Sequence, residues 1–150
     1  MVRKTPNEFQ ESRRRATKWM KRILMQLRAS MDERLRPYGV TSAQLQILWA
    51  IRNAPGSSGA ELSRLCEVTP QSAQALIQRA EDSGWIVLEK DSVNDRILTA
   101  SLTAEGEELL KVADRLLREI EARLWDDIAP PEVEGLIELL EKCLGNINRD

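Results

Sequence analysis

Apolar positions recur along this chain at helical spacing over six stretches and alternate or cluster in two short β-type runs. Met20, Ile23, Leu24, Leu27, Met31 and Leu35 form one stripe of a first helix near 6–36. A second, near 42–52, carries Leu45, Ile47, Leu48, Trp49 and Ile51, apolar almost all round, which predicts a central place in the fold. A third helix is predicted near 59–67 and a fourth near 70–83, with Ala73, Leu76, Ile77 and Ala80 sharing a core face of the fourth. Residues 85–88 and 97–102 suit strands and flank a polar tip, Asp91-Ser92-Val93-Asn94-Asp95, while 53–57 reads as a loop. A fifth helix near 103–129 bears Leu109, Ala113, Leu116, Leu117, Ile120, Leu124 and Ile128. A sixth, near 132–146, repeats Val133, Leu136, Ile137, Leu140 and Leu144.

Start and stop signals divide these elements. Thr5-Pro6-Asn7-Glu8, Thr41-Ser42-Ala43-Gln44 and Ser58-Gly59-Ala60-Glu61 each place a hydroxyl three residues before Glu or Gln, the capping-box pattern. Thr69 precedes Pro70, a residue whose missing N–H costs nothing at the first helical position. Thr103 caps the fifth helix, with Glu105, Glu107 and Glu108 near its positive end. Pro37-Tyr38-Gly39 ends the first helix, Gly84 ends the fourth, and Pro130-Pro131 is expected to end the fifth and open the last.

That order, a support helix, a tight turn, a second helix and a hairpin, is the arrangement of a winged helix-turn-helix within a mainly α chain with a small β-wing. At about 1.5 Å per residue the fifth helix would extend about 40 Å, more than such a core can cover. A second copy of the chain would cover the whole stripe, so we expect a C2 homodimer held by dimerisation helices at about 6–36 and 103–148, around a reader at about 41–102 within one domain of 1–150. Charge is distributed accordingly. Residues 1–36 hold eleven Lys/Arg against four Asp/Glu, a balance of +7, and residues 103–150 hold six against thirteen, a balance of −7. Arg13, Arg14, Arg15, Lys18, Lys21 and Arg22 either oppose the acidic final helices or grip phosphates; the opposed blocks favour the first. Within that reader the stretch 59–102 is net negative at four against seven, a balance of −3, a poor basic advertisement for nucleic acid.

Composition removes most chemistry. With no histidine among the 150 residues, the commonest general base and metal ligand are both missing. Cys66 and Cys143 are far apart and read as reduced thiols rather than a zinc site or disulfide. No nucleophile–base pair can be assembled, so an enzyme, a cofactor and a metal are not expected. With no apolar leader and no run of membrane-spanning length, the expectation is a cytoplasmic protein that does not enter the membrane.

With its apolar positions turned to the core, the fourth helix presents Gln71, Ser72, Gln74, Ala75, Gln78 and Arg79 outward. Glutamine pairs bidentately with adenine, arginine binds guanine or phosphate, and Ala75 suits a thymine methyl. An ordinary solvated face would carry Lys and Glu instead. Arg64 on the support helix is placed to touch the DNA backbone.

Five marks in order resemble the MarR family (multiple antibiotic resistance regulators), winged-helix transcription factors of bacteria and archaea. They include Thr41-x-x-Gln44-x-x-x-Leu48, Glu61-Leu62-Ser63, Ala80-Glu81-x-x-Gly84-Trp85-Ile86 and Leu102-Thr103-x-x-Gly106, and the departure is at the wing. The family's wing carries Asp-x-Arg. Counting back from Leu102 puts Arg96 on the arginine that enters the minor groove, Asp95 on the variable position and Asn94 on the aspartate. The alternative, with Asp95 on the aspartate, leaves Ile97 where the arginine belongs. The first register keeps the arginine, and Asn94 is then expected to accept a hydrogen bond from its guanidinium, without the grip of a carboxylate.

The resemblance implies a dimeric regulator that binds a pseudo-palindromic operator in double-stranded DNA, a repressor relieved by a small-molecule effector, with an aromatic carboxylate as the effector class. Trp19, Tyr38 and Trp49 are candidates for the ligand crevice or, equally, core and interface aromatics, and Arg22, one turn after Trp19, would receive a carboxylate. Peroxide sensors of the family carry a cysteine near the start of the first helix; this chain has none there, and Cys66 is expected to be buried and unreactive beside Leu62 and Leu65. The competing function is a winged-helix dimer of weak DNA affinity that serves as a protein–protein adaptor, which the acidic reader and Asn94 favour.

Overall fold

A computed structural model describes residues 6–149. The order is α1 (Pro6–Leu35), a 3-10 turn (Arg36–Tyr38), α2 (Ser42–Asn53), β1 (Ser57–Ser58), α3 (Gly59–Leu65), α4 (Pro70–Asp82), β2 (Ile86–Lys90), β3 (Leu98–Leu102), α5 (Ala104–Leu124) and α6 (Pro130–Ile147). It is the mainly helical winged fold with a small sheet. Contacts divide the chain into two compact units, one ending at Arg118 and the other beginning at Glu119.

The first unit is built around α2. Leu45, Ile47, Leu48 and Ile51 are fully buried, and they meet Leu35 and Met31 of α1, Leu62 of α3, and Ala73, Ile77 and Ala80 of α4 in one core. The expected caps form. The Thr41 hydroxyl accepts from the Gln44 N–H while the Gln44 side chain accepts from the Thr41 N–H, and Ser58 and Glu61 make the same reciprocal pair. The Thr5 cap lies outside the described residues.

Three features differ from expectation. Ser57 and Ser58 form a strand that pairs antiparallel with β3, giving the order β1-β3-β2, where the sequence read as a loop into a helix cap; two residues carry no periodicity to detect. α5 ends at Leu124, five residues short of expectation, so it spans about 30 Å rather than 40. Trp125-Asp126-Asp127 put two carboxylates against the negative helix end, Asp127 turns the chain at φ +59°, and Ile128, placed on the α5 stripe by periodicity, lies in that turn. The α1 stripe is buried only at Met31 and Leu35. Met20, Ile23 and Leu24 are exposed, as are Leu136, Ile137, Leu140 and Leu144 of α6. No described helix is long and apolar enough to cross a membrane.

Candidate nucleic-acid interface

α4 is positioned from both ends. The Thr69 hydroxyl accepts the Ser72 N–H at 3.1 Å ahead of Pro70, and Gly84, at φ +74°, turns the chain into β2. The turn from α3 is held by Ser63, whose hydroxyl donates to the Val68 carbonyl at 2.7 Å while its own carbonyl accepts the Val68 N–H. Between them Glu67 adopts φ +52°, an uncommon conformation for a residue with a side chain. This short turn fixes how α4 leaves α3. With Ala73, Ile77 and Ala80 buried and Leu76 half-buried, Gln71, Ser72, Gln74, Ala75, Gln78 and Arg79 are all exposed, as the periodicity requires. Arg64 is exposed on α3.

The wing is a five-pair antiparallel ladder running from Ile86 opposite Leu102 to Lys90 opposite Leu98. Its loop is organised by Asp91, a residue the sequence reading left unassigned although Asp-Ser-Val-Asn is turn chemistry. The Asp91 carboxylate accepts the N–H groups of Val93 and Asn94, both at 2.9 Å. Those bonds hold its carboxyl below the usual aspartate range, the Asn94 bond most strongly. The tip itself is a turn closed by the Ile97 N–H on the Asn94 carbonyl at 2.9 Å, so Asp95 and Arg96 occupy its two central positions.

This places Arg96 at the corner of the tip, exposed and, among the described residues, with no hydrogen bond or ion pair to its guanidinium. Asn94 does not hold that guanidinium. Its side-chain oxygen accepts the Arg96 backbone N–H at 3.2 Å, because a short amide reaches its own backbone two residues on more readily than a long, solvated side chain.

A polar hub outside the reading face ties α2 to α5. The Asp114 carboxylate accepts the Trp49 indole N–H at 2.9 Å and the Arg52 guanidinium at 2.7 Å. Arg52 is the larger influence holding the Asp114 carboxyl down, with Trp49 adding to it. Asp114 was missed in sequence, since its partners lie 62 and 65 residues away. Trp49 also lines a cavity of about 360 Å³ with Gln46, Leu65 and Cys66. Trp19 stands apart on α1, where the Arg22 guanidinium lies 5.3 Å from its ring centroid. Arg15, Lys18, Trp19 and Arg22 line a surface depression of about 210 Å³. Tyr38 is exposed in the 3-10 turn, so the four candidate ligand residues do not share a cavity within the described chain. Cys66 is buried, as expected, and burial raises its thiol pKa; Leu65, expected to be buried beside it, is exposed. Among the described residues no cluster of three or more potential acidic or thiol ligands could hold a metal.

Residues 38–97 match the sequence model of the MarR family. The chain is 33% identical over 116 residues to the HTH-type transcriptional repressor Rv2887 of Mycobacterium tuberculosis (strain H37Rv), covering 77% of this chain and 84% of that protein. The structure of that M. tuberculosis protein in complex with salicylic acid superposes with a TM-score of 0.65 at 31% identity, over 83% of this chain and 93% of the other. A mutant MarR from E. coli complexed with operator DNA shares the fold, with a TM-score of 0.78 at 22% identity over 85% and 92% of the two chains.

Proposed function

The chain belongs to the MarR family, and on that premise we propose that it is a homodimeric, sequence-specific regulator that binds a pseudo-palindromic operator and represses transcription until a small-molecule effector releases it. Family membership makes it a regulator and not an enzyme. The observation that carries the reading is the exposed face of α4, where three glutamines, Ser72, Ala75 and Arg79 stand clear of the core on a helix capped at both ends. These are side chains that match base edges and phosphates. Residues 41–102 act as the reader, Arg64 contacts the backbone, and Arg96, carried by Asn94 and Asp95 at the tip, enters the minor groove. Residues 6–36 and 103–148 supply the dimer, a role supported by the exposed apolar residues of α1 and α6 and the opposed charges of the two chain ends.

The name of the M. tuberculosis relative, a repressor, supports the sign of regulation, and its salicylic acid complex supports an aromatic carboxylate as the effector class. Trp19 with Arg22 is a pairing suited to such a ligand, a ring to stack on and a cation to receive the carboxylate. The net-negative reader favours one other reading, a protein–protein adaptor of weak DNA affinity. Binding of operator fragments recovered from genomic DNA, titrated with salt, separates the two. A reader loses affinity steeply as salt rises, and an adaptor recovers no specific fragment.

A further inference from the structure

Gln78 lies one turn beyond Gln74 on the exposed face of α4, and its amide nitrogen donates to Glu81 at 3.3 Å and to Asp82 at 3.0 Å. A primary amide carries two N–H donors and one carbonyl oxygen. Two carboxylates, three and four residues on, take both donors, and neither can accept anything from the carbonyl, so a single amide orientation satisfies the group. The pair stands in the last turn of α4, where the helix dipole disfavours negative charge, and the Gln78 donors offset that cost. The carbonyl oxygen is left as the polar atom that Gln78 has free to offer.

We propose that Glu81 and Asp82 are positioning residues that make Gln78 an acceptor-only reader of the major groove, selecting a base that presents its amino group in that groove, adenine or cytosine. The inference rests on the DNA-binding function proposed above. A glutamine that reads adenine bidentately donates to N7 while accepting from N6. With both donors engaged, the second half of that contact survives and cytosine N4 satisfies it equally well. Guanine and thymine present only acceptors in that groove and meet the carbonyl, and the carboxylates behind it, with like polarity. Gln78 therefore tolerates adenine or cytosine and rejects guanine and thymine, where a free glutamine would choose adenine.

Selection from randomised duplex DNA tests this with the wild-type chain, Glu81→Ala/Asp82→Ala and Gln78→Ala. Both acidic residues sit at exposed or half-buried helix positions that alanine suits, so the fold is kept and circular dichroism checks it. Wild type should accept adenine and cytosine at one position of each half-site, and the double variant should shift that position to adenine by about tenfold. Gln78→Ala should erase the preference there alone. A merely structural role for the acidic pair would change overall affinity and leave the base preference where it was. A double variant with the wild-type profile overturns the positioning role. A Gln78→Ala profile unchanged from wild type overturns the reader role while leaving the DNA-binding function standing. Wild-type protein that enriches no sequence refutes that function and this inference together.

Discussion

The carbonyl oxygen of Trp85 occupies the space in which a side chain at Gly106 would begin. The same carbonyl accepts the Thr103 N–H at 3.0 Å, and the Thr103 hydroxyl donates to the Gly84 carbonyl at 2.6 Å while accepting the Gly106 N–H. The exit of α4, the start of the wing and the start of α5 are thus fastened at one point. Gly106→Ala should cost about 2–4 kcal/mol, because backbone must move to admit the methyl group. Gly135→Ala on α6, with open space around it, should gain about 0.5–1 kcal/mol from helix propensity. Denaturant melts of the two variants check both signs.

Elements whose signals are local were legible. The caps at Thr41, Ser58 and Thr69 and the two faces of α4 followed from spacing alone, because a helix writes its start and its burial into neighbouring residues. Elements set by distant partners were not. β1 exists only because β3 is there to pair with it, and Asp114 is recruited by Trp49 and Arg52 across the fold. Pro130-Pro131 masked an earlier end of α5, since a proline pair marks where a helix cannot continue and not where it stops. At the wing, the resemblance proposes Arg96, while the turn at the tip and the loop-holding part of Asp91 depend on backbone hydrogen bonds that composition does not encode.

Acid should weaken the link between α2 and α5. The Asp114 carboxyl titrates below its ordinary range, so its ion pair stabilises the fold above the unfolded aspartate pKa, near 4, and that contribution is lost as pH falls through the lower folded value. Asp114→Asn should lose about 1 kcal/mol at neutral pH, since the pair is partly solvated, and should show a shallower loss of stability below about pH 4. Melting temperatures measured across that range for both proteins decide it.

Peroxide should not release the protein from DNA. Cys66 is buried with a raised thiol pKa, and the exposed Cys143 is remote in sequence from the reader. A mild dose should leave operator affinity unchanged, and a maleimide should label Cys66 only after denaturation. A release that Cys66→Ser abolishes would contradict this.

The chain should sediment as a dimer at low micromolar concentration, given the apolar residues that α1 and α6 leave exposed. Arg13, Arg14 and Arg15 replaced together by Glu should raise the dissociation constant at least tenfold if they face the acidic chain end. A compact wild-type monomer in sedimentation velocity would overturn the assembly.

The most direct test of DNA reading is a salt titration of operator affinity for wild type and Arg96→Ala. Arg96 is the sole basic residue between Asp91 and Thr103, stands at the tip of the wing, and belongs to a reader with net negative charge. An arginine in a narrow minor groove gains more than one on an open phosphate. Arg96→Ala should keep fold and dimer, lose about 1–3 kcal/mol per protomer on all sequences, and flatten the salt slope by about one phosphate equivalent per wing. Wild-type affinity and slope in the variant would contradict the account.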